Sequence, residues 1–120
     1  MQPNLRACVA YTAGSIMSGK RSSSVYDYSR STHISISGSA DETSVQIYDH
    51  VQRCHFSGSG NGGEYSLYHY GDRCHVSLTV NGNQFSGYDY GSRSHFNGNV
   101  QGDSVSVYDY QERHYFNYSL

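Results

Sequence analysis

A chain of 120 residues with a formal charge of −2 and 36% apolar residues has room for one domain with a thin core. That charge excludes a protein that grips nucleic acid by neutralising phosphates, which needs a strong basic excess, and no run reaches the ~20 apolar residues of a membrane-spanning helix. Thirteen tyrosines at regular spacing exclude disorder, and three cysteines, an odd number, give no disulfide framework.

In chain order, residues 1–21 stand outside any repeat. Ala7-Cys8-Val9-Ala10-Tyr11 is expected as a short strand, and Gly14 and Gly19 interrupt the chain after it. The segment from Ala7 to Met17 is too interrupted by Thr12, Gly14 and Ser15 for the core of a signal peptide. An atypical end segment fits a terminal cap on a stack of repeats. From Ser22 the pattern becomes strict alternation. In Ser104-Val105-Ser106-Val107-Tyr108-Asp109-Tyr110 one face carries Val105, Val107 and Asp109, and the other Ser104, Ser106 and Tyr108, which is the period of a strand. After a short break such as Gly71-Asp72 a second alternation begins, with Arg73, His75 and Ser77 opposite Cys74, Val76 and Leu78. Gly62-Gly63, Asn81-Gly82 and Gly102-Asp103 close successive units. No stretch shows helical periodicity.

Residues 22–120 are thus five strand–turn–strand units, marked by Tyr26, Tyr48, Tyr68, Tyr88 and Tyr108, with one step of 22 residues and then steps of 20. Each tyrosine precedes an acidic position, Asp27, Asp49, Asp89 and Asp109, with His69 as the one exception. Each unit also carries an arginine (Arg30, Arg53, Arg73, Arg93, Arg113) and, in the first four, a histidine (His33, His55, His75, His95). The apolar set, including Val45, Ile47, Phe56, Leu67, Val76, Leu78, Phe85, Phe96, Val105 and Val107, is the expected core.

Two all-β architectures fit. In a β-solenoid each unit is a rung and like residues stack at the strand spacing of about 4.8 Å. In an antiparallel meander closed into a barrel or sandwich each unit is a hairpin and like residues lie two strands apart. The near-constant period favours the solenoid, because rungs stack only when equal. Against it, the column Asp27, Asp49, His69, Asp89, Asp109 would crowd carboxylates, an arrangement a protonated His69 would relieve. Cys54 and Cys74 would lie on adjacent rungs of the solenoid, within disulfide reach, but apart in the meander.

The unit resembles the rung of curli-type fibre subunits, also about twenty residues of strand–turn–strand with the pattern Gln-x-Gly-x-x-Asn-x-Ala. Asp89-Tyr90-Gly91-Ser92-Arg93-Ser94-His95-Phe96 and His69-Tyr70-Gly71-Asp72-Arg73-Cys74-His75-Val76 reproduce its spacing and glycine, with Asp or His for Gln, Ser or Cys for Asn, and Phe or Val for Ala. That resemblance implies a secreted, self-assembling fibre.

The last unit is as regular as the others, so in a solenoid it presents open strand edges, which drive pairing with another chain. The leading expectation is therefore a structural subunit that polymerises with itself into a filament or layer at the cell surface or outside it. The alternative is a binding module, extracellular or cytoplasmic, whose repeated Tyr/Arg/His face takes glycans or anionic polymers. Neither needs a cofactor. Ser and His groups copied from unit to unit, without an oxyanion or phosphate-loop signature, argue against an enzyme. Histidines spread over separate units, with no HxH or CxxC, lead to no metal site in this reading.

Overall fold

The alternation beginning at Ser22 folds as ten antiparallel strands, and the segment before it as one helix, in a computed structural model that describes residues 1–120. The strands are β1 (Ser24–Asp27), β2 (Thr32–Ala40), β3 (Ser44–Asp49), β4 (Cys54–Asn61), β5 (Glu64–His69), β6 (Cys74–Asn81), β7 (Gln84–Asp89), β8 (Ser94–Gln101), β9 (Ser104–Asp109) and β10 (His114–Ser119). Each pairs with its neighbours in sequence, and β10 returns to β1 through Tyr26↔Ser119 and Asp27↔Tyr118. The result is a closed up-and-down barrel.

The favoured solenoid is therefore replaced by its antiparallel alternative. Equal units are what a barrel of equal staves requires, so the constant period did not discriminate between the two. The turn chemistry did. Gly62 and Gly63 both take positive φ (63° and 87°), and Gly82 and Gly102 do so at the first turn position (63° and 60°), the backbone of two-residue hairpins whose twist matches their strands. The one step of 22 residues falls in the β2–β3 connection. There Ala40 pairs with Val45 around a longer loop, and Asp41 accepts the backbone N–H groups of Thr43 and Ser44, each at 2.9 Å. Cys54 and Cys74 lie on β4 and β6 with β5 between them, and both are free thiols. Closure leaves no strand edge unpaired, so the open edge expected of the last unit is taken up by β1.

The short strand expected at Ala7–Tyr11 and the cap over residues 1–21 are also corrected. Pro3–Ser18 is a helix, α1, and every residue from Asn4 to Ser15 is buried, because α1 runs through the lumen. Pro3 opens it after an extended Gln2, and Gly19 (φ 73°) closes it by donating its N–H to the Ser15 carbonyl at 3.0 Å. A helix satisfies its own backbone groups and so can be buried on every side, which a lone strand cannot. At ~1.5 Å per residue, 16 residues extend ~24 Å, close to the depth of a molecule measuring 33 × 29 × 26 Å.

Small residues let α1 fit. Ala7, Ala10 and Ala13 are fully buried, and a Cβ on Gly14 would come within 2.5 Å of Leu120 Cδ1. The staves thin out in the same way where rings fill the lumen. Phe85 pairs with Gly98 and Phe96 with Gly87, and a Cβ on Gly98 would lie 1.9 Å from the Ser106 carbonyl oxygen. Inward residues such as Val25, Ile36, Ile47, Phe56, Leu67, Leu78 and Val107 then complete a core in which the expected apolar set is buried.

Candidate functional site

Alternation sends the repeat residues to opposite sides of the barrel wall near one end. Tyr26, Tyr48, Tyr68, Tyr88 and Tyr108 face outward and are half-buried. Each lies edge-on to the ring two residues later and to the ring across the hairpin, with centroids 4.7–4.9 Å apart and planes at 65–82°. The triads are Tyr26/Tyr28/His33, Tyr48/His50/His55, Tyr68/Tyr70/His75, Tyr88/Tyr90/His95 and Tyr108/Tyr110/Tyr115. Together they form an aromatic collar. Its outer members Tyr28, Tyr70, Tyr90, Tyr110 and Tyr115 are 48–59% exposed. Beyond the collar the outward strand positions are polar, for example Gln46, Ser66, Ser86, Asn97 and Asn117. The wall thus lacks the outward apolar band of a barrel that sits in a membrane.

The arginines do not share the collar's strand face. Arg53, Arg73, Arg93 and Arg113 occupy the tight turns at the rim, each in the left-handed region (φ 54–58°), a conformation that costs a non-glycine residue about 1–2 kcal/mol. Arg30 is not their equivalent. Ser31 holds the left-handed position in the first turn (φ 51°), and Arg30 folds back onto Asp27 at 2.7 Å.

On the inner side of the same end, Asp27, Asp49, His69, Asp89 and Asp109 form a buried polar ring around the first turns of α1. The backbone accounts for their regularity. Each carboxylate accepts N–H groups of the turn after it, as Asp49 does from Val51 (2.9 Å) and Gln52 (3.1 Å), Asp89 from Gly91 (2.9 Å) and Asp109 from Gln111 (3.0 Å). His69 does the same through Nδ1, which accepts the Asp72 N–H at 3.0 Å. Lying two strands apart, the carboxylates avoid the crowding a stack would impose.

Their countercharges differ. Asp27 has Arg30; burial works to raise its carboxyl, but the bonds from Ser29 and Arg30 outweigh it and hold the group below the usual carboxylate range. Asp109 is met by Arg6 at 2.8 Å and the terminal ammonium at 3.3 Å. Asp49 and Asp89 have no cation. Asp49 takes the Asn4 amide at 3.1 Å and faces the Cys8 thiol at 3.9 Å; Asp89 takes the Ser92 hydroxyl at 2.8 Å and faces the Cys74 thiol at 3.8 Å. The expectation that a protonated His69 would offset its acidic neighbours is corrected, since burial lowers its pKa despite Asp72, Asp49 and Asp89.

Sequence reasoning missed Asn4, Arg6 and Cys8, which reach this ring from a segment without repeats. Arg6 lies over the Phe116 ring at 3.4 Å and donates to the Tyr118 hydroxyl at 3.1 Å. The one available signal was His69, the single break in the acidic column.

Fold and site together define a closed up-and-down β-barrel that holds a helix in its lumen and wears an aromatic collar outside. No protein-family model, curated protein or solved structure matches the chain.

Proposed function

We propose that this protein is a multivalent binding module whose collar takes a repeating, hydroxyl-rich ligand, with glycans as the class that fits best. The observation that carries this is the fivefold copy of one triad with its outer ring left in solvent. Cross-strand aromatic pairing that only stabilised the sheet would account for the half-buried inner tyrosines. It gives no reason to repeat a second, exposed tyrosine. Flat rings stack on sugar faces, and the amide and hydroxyl side chains beside them supply hydrogen bonds. One shallow groove unites these groups: Tyr88, His95 and Tyr110 with Ser77, Ser86 and Asn97. Five weak copies then gain by avidity, and the rim arginines extend the same chemistry to anionic polymers.

Glycan-array binding followed by calorimetry, on wild type and Tyr90→Ala, tests this. Binding that weakens in the variant supports it, and no binding by either removes it. A self-assembling subunit is the competing reading, and in a barrel without free edges it would have to associate through these same collar side chains. Fibres or sheets in electron micrographs of the purified protein, with no glycan bound, would favour that reading.

A further inference from the structure

The polar ring departs from its repeat at one place, where two further side chains converge. His69 replaces the aspartate of the other four units, Cys54 stands where other units carry Thr32, Cys74, Ser94 or His114, and α1 delivers Cys8 to the same spot. Cys8 Sγ, an Asp49 carboxylate oxygen and a ring nitrogen of His69 all lie within 4.8 Å of one another, and the three residues are fully buried. Cys54 pairs with Asp49 across β3–β4, and its Sγ is 3.6 Å from His69 Nε2. We propose that Cys8, Asp49, His69 and Cys54 form a closed binding site for a divalent transition metal, zinc being the ion whose chemistry this donor set suits.

Two thiols, one imidazole and one carboxylate are borderline-soft donors that favour zinc or cobalt over magnesium or calcium. Bond lengths of about 2.0–2.3 Å place donors of a tetrahedral zinc site roughly 3.2–3.8 Å apart, so Cys8, Asp49 and His69 close around an ion with small movements, while Cys54, in contact with His69 but outside that cluster, turns in to complete the set. Both thiol protons leave to solvent as the sulfurs ligate. The ion also supplies what the site lacks, because Asp49, like Asp89, is a buried carboxylate with no cation beside it, whereas Asp27 has Arg30 and Asp109 has Arg6 and the terminal ammonium.

The surrounding groups match. The Asn4 amide orients Asp49 from the side. His69 binds through Nε2; its Nδ1, which accepts the Asp72 N–H at 3.0 Å without the ion, then carries the ring proton and exchanges that bond for one to the Asp72 carboxylate, 3.7 Å away. This proposal is independent of the collar reading.

The test is cobalt(II) titration of chelator-treated full-length protein, followed by zinc competition. One equivalent should bind with thiolate-to-cobalt charge-transfer and intense tetrahedral visible bands, and zinc should displace it. Cys8→Ser and His69→Asn should each weaken binding at least about a hundredfold, while Cys74→Ser, one hairpin away, should leave it unchanged. His69→Asn retains an acceptor for the Asp72 N–H, so it reports on ligation even if Cys8→Ser folds poorly, and circular dichroism checks both. No binding, binding without thiolate bands, binding retained in His69→Asn, or an equal loss in Cys74→Ser would each overturn the site. Retention in His69→Asn without thiolate bands would assign the ion to the exposed collar histidines.

Discussion

Replacing Arg6 by methionine removes a guanidinium while keeping most of its volume. The lost contacts are the 2.8 Å ion pair to Asp109, the bonds to the Tyr118 hydroxyl and the Met1 carbonyl, each at 3.1 Å, and the stacking over Phe116. Arg6 is 4% exposed and Asp109 is fully buried, so solvent screens little of this. Breaking a buried pair by removing one partner costs about 3–5 kcal/mol. The terminal ammonium, 3.3 Å from Asp109, and the Gln111 N–H keep part of the compensation, which puts the expected loss near ~3 kcal/mol. Out of a total of roughly 5–15 kcal/mol that is a large share. Urea denaturation followed by far-ultraviolet circular dichroism should show the midpoint falling with an unchanged slope. Adding Asp109→Asn, which keeps a turn acceptor but no charge, should recover part of the loss. A cost under about 1 kcal/mol, typical of an exposed pair, would place Arg6 in solvent and refute the lumenal helix.

The same geometry dictates other outcomes. Gly98→Ala, whose Cβ would lie 1.9 Å from the Ser106 carbonyl oxygen, should cost about 3 kcal/mol in thermal or urea unfolding, whereas Gly102→Ala, at φ 60° in open space, should cost only about 1 kcal/mol. Arg93→Gly relieves a left-handed residue at φ 58° and should stabilise by about 0.5 kcal/mol, the relief exceeding the chain entropy of glycine; a loss of stability would show that the side chain itself holds the turn. Asp27 has a carboxyl lowered by its bonds from Ser29 and Arg30 against the effect of burial, so its stabilisation is present above its unfolded pKa of about 3.9 and disappears as pH falls through the lower folded value. Asp27→Asn should accordingly be less stable than wild type at pH 7 and converge with it in acid, and a difference that stayed constant with pH would contradict this.

Much of the wall was legible, because alternation fixes which side chains face inward whatever lies on either side of a strand. Val45, Ile47, Phe56, Leu67, Val76, Leu78, Phe85, Phe96, Val105 and Val107 are all buried as expected. Strand direction was not legible from the period, since equal rungs and equal staves leave the same spacing; Gly82-Asn83 and Gly62-Gly63 carried the answer in their turn chemistry. The helix was hidden for a different reason. Buried from Asn4 to Ser15 on every side, it has no polar face, and without one there is no 3.6-residue alternation to find. With the helix unseen, nothing in the sequence placed Cys8 beside Asp49 and His69, or Arg6 beside Asp109. The collar tyrosines were visible as a column, but the separation of Arg53, Arg73, Arg93 and Arg113 into the turns depended on a left-handed backbone that arginine does not announce.

Cross-strand nuclear Overhauser contacts in isotope-labelled protein test the central claim, a closed antiparallel barrel around a helix, most directly. The barrel predicts contacts joining Tyr26 to Ser119 and Asp27 to Tyr118 across the closing seam, with Phe85 facing Gly98 inside one hairpin and helical contacts along Pro3–Ser18. Contacts between equivalent residues of successive units, such as Tyr68 with Tyr88 and Val76 with Phe96, and none across the seam, would mean stacked parallel rungs and would contradict it.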